Sequence, residues 1–160
     1  MAATIDEFKQ AMSRFGTGVT VLTFLEADGT VHGITANSVA SLSLRPLLVL
    51  ACIDHRARSY GHLKHAGKFV MNILSIEQSE ASTYFAKNDT VGDPPFPHHR
   101  SGLGNPVLDG ALAYLDCKVV EQHPAGDHTI FIGEVVEIGF TDREPLMYYK
   151  GKYRRLAPGE

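Results

Sequence analysis

Leu47 to Ile53 is apolar at every position, with Pro46 immediately before it. A strand with no polar side chain on either face has to be covered on both, so the segment reads as a central strand or a barrel wall, and proline sits tolerably at its start. Even counted from Pro46, the run is far short of the ~20 residues that a membrane-crossing helix needs. No transmembrane segment is expected, and the cover has to come from the rest of the chain. With 160 residues, 44% of them hydrophobic, the chain is long enough for one real core and reads as a single domain over 1–160.

The flanking segments supply further strands. Thr17 to Leu25 is dense in Val, Thr, Leu and Phe, and Asp28-Gly29 turns it into Thr30 to Thr35, a predicted β-hairpin. Phe69 to Leu74 reads as a strand. Ala111, Ala113, Leu115, Cys117 and Val119 alternate with Tyr114, Asp116 and Lys118, which puts Cys117 in the core. Thr129 to Ile138 repeats the β-branched pattern, and Leu146 to Tyr149 with Tyr153 to Leu156 forms a closing hairpin across Lys150-Gly151. Helices are fewer. Thr4 and Glu7 make a capping box ahead of the stripe Ile5, Phe8, Met12, Phe15, which must cover something. Arg56 to His65 is a short polar helix closed by Gly67, and Ser75 with Gln78 starts another that ends near Ala86. Lys87 to Pro106 holds four of the eight prolines and the His98-His99 pair, a long irregular loop of the kind that serves as a lid or a flexible connection. The strands show no regular alternation with helices, so a closed antiparallel barrel with peripheral helices is expected rather than a doubly wound sheet.

Charge and motif spacing remove several functions. A formal charge of −3, with basic residues scattered until the C-terminal end, argues against a nucleic-acid binder. Asp6 and Glu7 stand where a signal peptide carries positive charge, so a cytoplasmic location is expected. Cys52 and Cys117 have neither disulfide-framework nor metal-ligand spacing and read as reduced thiols. Gly16-Thr17-Gly18 precedes a strand and meets Val21 where a dinucleotide fingerprint needs glycine. There is no GxxxxGK[ST], HExxH or GxSxG. His55, His62 and His65 lie near one another in sequence, but without Cys or carboxylate ligands in metal spacing they read as surface histidines, and no metal is expected.

Three short stretches each allow two readings. Thr35-Ala36-Asn37-Ser38, followed by Ser41-Leu42-Ser43, is either a turn that bonds its own backbone or a set of hydroxyl, amide and N–H groups suited to a flavin edge or phosphate. Gly126-Asp127-His128 is either a strand-capping turn or an imidazole offered to a nucleotide. Tyr148-Tyr149-Lys150 and Tyr153-Arg154-Arg155 are either a solvated strand edge or a stacking platform.

The order of these pieces carries a resemblance. Phe15-Gly16-Thr17-Gly18-Val19-Thr20-Val21, Gly33-Ile34-Thr35-Ala36-Asn37-Ser38 and Ser41-Leu42-Ser43-Leu44-Arg45-Pro46-Leu47 are followed by Phe69-Val70-Met71-Asn72-Ile73-Leu74, by Gln78 and by Phe85-Ala86. With Gly126-Asp127-His128-Thr129 and Pro145-Leu146-Met147-Tyr148-Tyr149, the set resembles the short-chain flavin reductase family from about Phe8 to Leu156. The resemblance implies a mainly β fold, an antiparallel Greek-key split barrel with a few peripheral helices, usually a homodimer. It also implies an NAD(P)H:flavin oxidoreductase that passes hydride from NADH or NADPH to FAD or FMN and supplies reduced flavin to a separate monooxygenase. On that resemblance Thr35, Asn37, Ser38 and Ser41, the backbone of Ala51, Cys52, Ile53 and Asp54, and Phe85 with Ala86 are flavin contacts. His128 and Tyr148 are nicotinamide-nucleotide contacts. No side chain is expected to act as a nucleophile, because hydride transfer between stacked rings needs positioning. The chain departs from the family's pattern at Pro46-Leu47, where two prolines are common, and in the Pro- and His-rich 87–106 loop. A flavin-binding electron carrier or sensor without NAD(P)H turnover is the alternative, and an oxidase on the same barrel a third, since fold does not fix function.

Overall fold

The computed structural model describes residues 2–159. Its elements are, in order, α1 (Ile5–Met12), β1 (Thr17–Gly18), β2 (Thr20–Leu25), β3 (Val31–Ala36), β4 (Val39–Leu44), β5 (Leu47–Asp54), α2 (Arg58–Ala66) and β6 (Lys68–Ile73). A 3-10 turn (Ile76–Gln78) then leads into α3 (Ser79–Phe85), β7 (His98–Arg100), β8 (Pro106–Leu108), β9 (Ala113–Ala125), β10 (His128–Phe140), β11 (Met147–Tyr149) and β12 (Lys152–Arg154). Seven strands form one antiparallel sheet in the order β3-β2-β6-β9-β10-β5-β4. After β5 the chain crosses through α2 and returns as β6 beside β2, which is the Greek-key step. The antiparallel split barrel with peripheral helices is therefore present.

The interior is filled by Leu22, Phe24, Val49, Ala51, Ile53, Phe69, Met71, Cys117 and Phe131, contributed by β2, β5, β6, β9 and β10. Burial pushes the Cys117 thiol up to about 12, as its core position requires. A second cluster, Val19, Val21, Leu74, Ala81, Phe85, Leu108 and Leu146, lies on the outer side of β2. As a result β2 and β6 are covered on both faces, and β5 is not. In β5 only Val49, Ala51 and Ile53 are buried; Leu48, Leu50 and Cys52 are half-covered and Leu47 is 45% exposed. The second cover expected for this run is not supplied by the described residues.

Other expectations change for local reasons. The α1 capping box forms as read, yet Ile5, Phe8, Met12 and Phe15 all stay more than half exposed, so most of the stripe is left uncovered by the described residues, with Phe15 reaching the rim of a cavity. Val39–Leu44 is an edge strand that its hydroxyl-rich composition concealed. Asp116, assigned to the solvent face by alternation, is fully buried, where it accepts from Asn105 Nδ2 at 2.7 Å and Leu103 N at 3.2 Å. The 87–106 loop is thereby tied to β9, and it carries β7, which pairs with β8. Gly67 closes α2 with φ 69°, and the Lys150-Gly151 hairpin forms with both residues at positive φ.

Candidate functional site

β3 and β4 stand at opposite ends of the seven-strand order but are joined only by Asn37 and Ser38. The sheet must curl until these ends meet, and among the described residues no ladder crosses the seam. Two cavities of about 410 Å³ each open there. Thr35, Asn37, Ser59, Phe85, Ala86 and Tyr148 are among the residues lining the first. Gly18, Thr20, Asn37, Ser41, Val49 and Met71 are among those lining the second. Asn37 belongs to both.

The first cavity is braced from behind. Thr35 Oγ1 donates to Ser82 O at 2.7 Å, and Tyr153 donates its phenolic proton to Ser82 Oγ at 2.8 Å, fixing α3 against β3 and β12. Phe85 can lie over β3 because Gly33 has no side chain; a Cβ there would sit 2.8 Å from two atoms of its ring. Tyr148 and Tyr153 meet edge to face, with ring centroids 5.6 Å apart and planes at 61°. Asn37 Oδ1 is buried without a hydrogen-bond partner. A buried amide oxygen left unpaired costs roughly 1–3 kcal/mol, so its presence at the junction of two cavities points to a missing donor.

The predicted contacts divide. Thr35, Asn37, Phe85, Ala86 and Tyr148 come together around the first cavity, and Ser41 joins Asn37 at the second. Ser38 lies on the seam, its carbonyl accepting from Cys52 N at 2.9 Å. Ala51 and Ile53 turn their side chains into the core, and the stretch Ala51 to Asp54 is held in register with β10. Asp54 and His128 lie opposite each other in that register, outside the lining of both cavities. Arg56 holds Asp54 at 2.7 Å and keeps its carboxyl far below the usual range; Asp127 is lowered by its 2.7 Å contact with His128 Nδ1. Ala57, three residues beyond Asp54, lines the first cavity, so this charged rim is adjacent in sequence to the site. Ser59 and Ser82 also line the first cavity, and nothing in the sequence marks them, since hydroxyls on a helix carry no spacing signal of their own; Tyr153, one half of the stacking-platform reading, lines it as well.

The flavin reductase like domain model matches residues 12–157. The chain belongs to that family. Among flavin reductase relatives, an NADH-dependent flavin reductase from Rhodococcus sp is 39% identical over 92% of this chain and 84% of its own. The reductase subunit HsaB of a flavin-dependent monooxygenase from Mycobacterium tuberculosis is 35% identical over 99% of this chain and 87% of its own. Of solved flavin reductases, PheA2 in its native state superposes with a TM-score of 0.90 at 42% identity, covering 97% of this chain and 99% of that one. The NADH:FAD oxidoreductase SgcE6 of Streptomyces globisporus C-1027, in complex with NAD and FAD fragments, does so with a TM-score of 0.89 at 33% identity, covering 96% and 93%.

The residues present fit a flavin. The unpaired Asn37 Oδ1 seeks a donor, and each cavity lies within the range of about 300–1,000 Å³ usual for small-molecule sites. Replacing Asn37 by Ala is expected to move two quantities in opposite directions. Stability should rise by up to about 1 kcal/mol, because an unpaired buried polar atom is removed, while flavin affinity falls about fivefold or more with the lost hydrogen bond. Thermal melting of the free chain and flavin titration of the same preparation check both; a variant less stable with unchanged affinity would make Asn37 merely structural.

Proposed function

We propose that this chain is an NAD(P)H:flavin oxidoreductase whose flavin site is the seam between β3 and β4. The observation that carries the placement is the buried, unpaired Asn37 Oδ1 at the junction of the two cavities. Bound flavin would supply the hydride acceptor; the chain supplies the surroundings. Asn37 and Ser41 offer polar contacts, Phe85 and Val49 exclude water from the walls, and Tyr148 with Tyr153 gives an aromatic face against which a flat ring can be held. Hydride transfer between rings at about 3–3.5 Å asks for this positioning and for no nucleophile. His128, paired to Asp127 at the charged rim, is the proposed nicotinamide-nucleotide contact together with Tyr148.

Relatives named as reductase components of monooxygenases support a separate monooxygenase as recipient of the reduced flavin. The exposed α1 stripe and half-covered β5 support a homodimer of single-domain chains over 1–160. No helix among the described residues is long and apolar enough to cross a membrane. The two free thiols accord with a cytoplasmic location.

The deciding experiment is anaerobic bleaching of the flavin band when NADH, or NADPH in parallel, is added with a molar excess of FAD or FMN. Catalytic loss of the whole excess is expected. Reduction that stops at one flavin per chain would instead make the protein a carrier.

A further inference from the structure

Ser59, in the first turn of α2, has a partner behind the cavity wall. Its Oγ lies 2.8 Å from His32 Nε2, and His32 Nδ1 lies 3.0 Å from Glu26 Oε1. Ser59 and His32 are 4% and 7% exposed, and the Glu26 side chain 14%. Three stretches of chain meet here: Glu26 follows β2, His32 is on β3, and Ser59 is on α2. The other charged groups facing them come from α2 and from the long loop. Arg58 and His62 each lie 3.7 Å from a Glu26 oxygen, and Asp93 accepts from Val31 N at 2.8 Å.

The chemistry of the three groups fixes the direction of each hydrogen bond. A carboxylate only accepts, so His32 Nδ1 carries its proton toward Glu26. Neutral imidazole then has Nε2 as an acceptor, and the Ser59 hydroxyl must donate to it. With its proton committed inward, Ser59 Oγ has only lone pairs to offer a group in the cavity that Ser59 lines. A second proton on His32 reverses the arrangement. Nε2–H now takes one of the two lone pairs of Ser59 Oγ, the hydroxyl proton turns to the next acceptor, Gly33 O at 3.3 Å, and a single lone pair beside a cationic ring is left to accept.

We infer that Glu26, His32 and Ser59 form a positioning relay that presents Ser59 as a hydrogen-bond acceptor to a donor group of the flavin, a ring N–H or a side-chain hydroxyl, and weakens that presentation when His32 is protonated. The inference rests on the flavin reading of the first cavity. Burial lowers the His32 pKa, with Glu26 opposing, so the ring is neutral at pH 7 and the reversal lies on the acid side of the ordinary value of about 6.5.

The test is direct titration of the intact protein with FMN and, in parallel, FAD, followed by flavin fluorescence from about pH 8 to about pH 5. Wild-type affinity should fall about fivefold toward acid, beyond any decline seen in Ser59→Ala, which should bind more weakly at pH 8. Subtracting the Ser59→Ala profile removes titration of the flavin itself. By linkage, saturating flavin should lower the His32 midpoint, read by NMR of the wild-type ring, by the same factor. Parallel acid declines in wild type and Ser59→Ala, or a His32 midpoint that flavin does not move, would overturn the relay while leaving the flavin site intact. Failure of the wild type to bind either flavin at pH 8 would overturn the flavin reading, and the relay with it.

Discussion

Gly33→Ala is expected to remove most flavin binding while destabilising the fold. The added Cβ would sit 2.8 Å from two Phe85 ring carbons and 3.0 Å from Leu22 O, and the backbone oxygen is held in the β2–β3 ladder, so the ring is what must yield. Its retreat away from the cavity is blocked, since Phe85 is 3% exposed and sits against the rings of Tyr84 and Phe96, with centroids 5.1 and 6.0 Å away. It moves into the first cavity instead. Overpacking of this kind costs about 1–3 kcal/mol of stability. Loss of a flat wall should weaken flavin binding by at least about tenfold, roughly 1.4 kcal/mol. Denaturant unfolding and flavin titration of the folded variant read the two effects. Phe85→Leu added to Gly33→Ala should recover stability, and a double-mutant cycle with no coupling would refute the contact as the cause.

The second large effect concerns association. Leu44, Leu47, Val136, Ile138 and Phe140 lie at the same end of β4, β5 and β10 and are all at least 45% exposed, with Leu44 and Phe140 above 80%. Monomeric proteins rarely leave a large contiguous apolar patch in water. A wild-type sedimentation mass near twice the 17.5 kDa of one chain is expected. Leu44→Asp combined with Phe140→Asp should return it to one chain at micromolar concentration, since carboxylates buried without partners cost several kcal/mol. Both side chains already face solvent within the chain, so secondary structure should be retained. A wild type that sediments as a monomer would remove the dimer from the proposal.

The elements legible in the sequence are those set by neighbours along the chain. The Thr4–Glu7 box needs two residues three apart, and Lys150-Gly151 declares its turn by the glycine and its place between aromatic segments. Thr35, Asn37, Phe85, Ala86 and Tyr148, which line one cavity, are legible as candidates because their ordered motifs resemble a family, although their separate spacings allow a bland alternative. What stayed hidden depends on distant partners. Ser59 meets His32 across 27 positions, and Asp116 is buried because Asn105 and Leu103 cover it, which no period-two pattern can register. The run Leu47 to Ile53 shows the reverse problem. Its composition describes the cover the strand requires, but the described residues bury only one face. The extensions of β9 to Ala125 and β10 to Phe140 also escape hydrophobic patterning, because backbone pairing between the two strands, not burial, holds those residues.

The unbonded seam between β3 and β4 bears on residence time. Most barrels can admit a guest between strands only by rupturing ladder hydrogen bonds, which ties release to a slow, cooperative opening of the sheet. Here the walls part along a line where no such bonds exist among the described residues, and the only covalent crossing is the Asn37-Ser38 link at one end. At the flavin site proposed here, release would need no rupture of the six paired strand junctions. The barrel thus separates tight positioning from slow escape, the combination required of a protein that must surrender its product before that product is oxidised elsewhere.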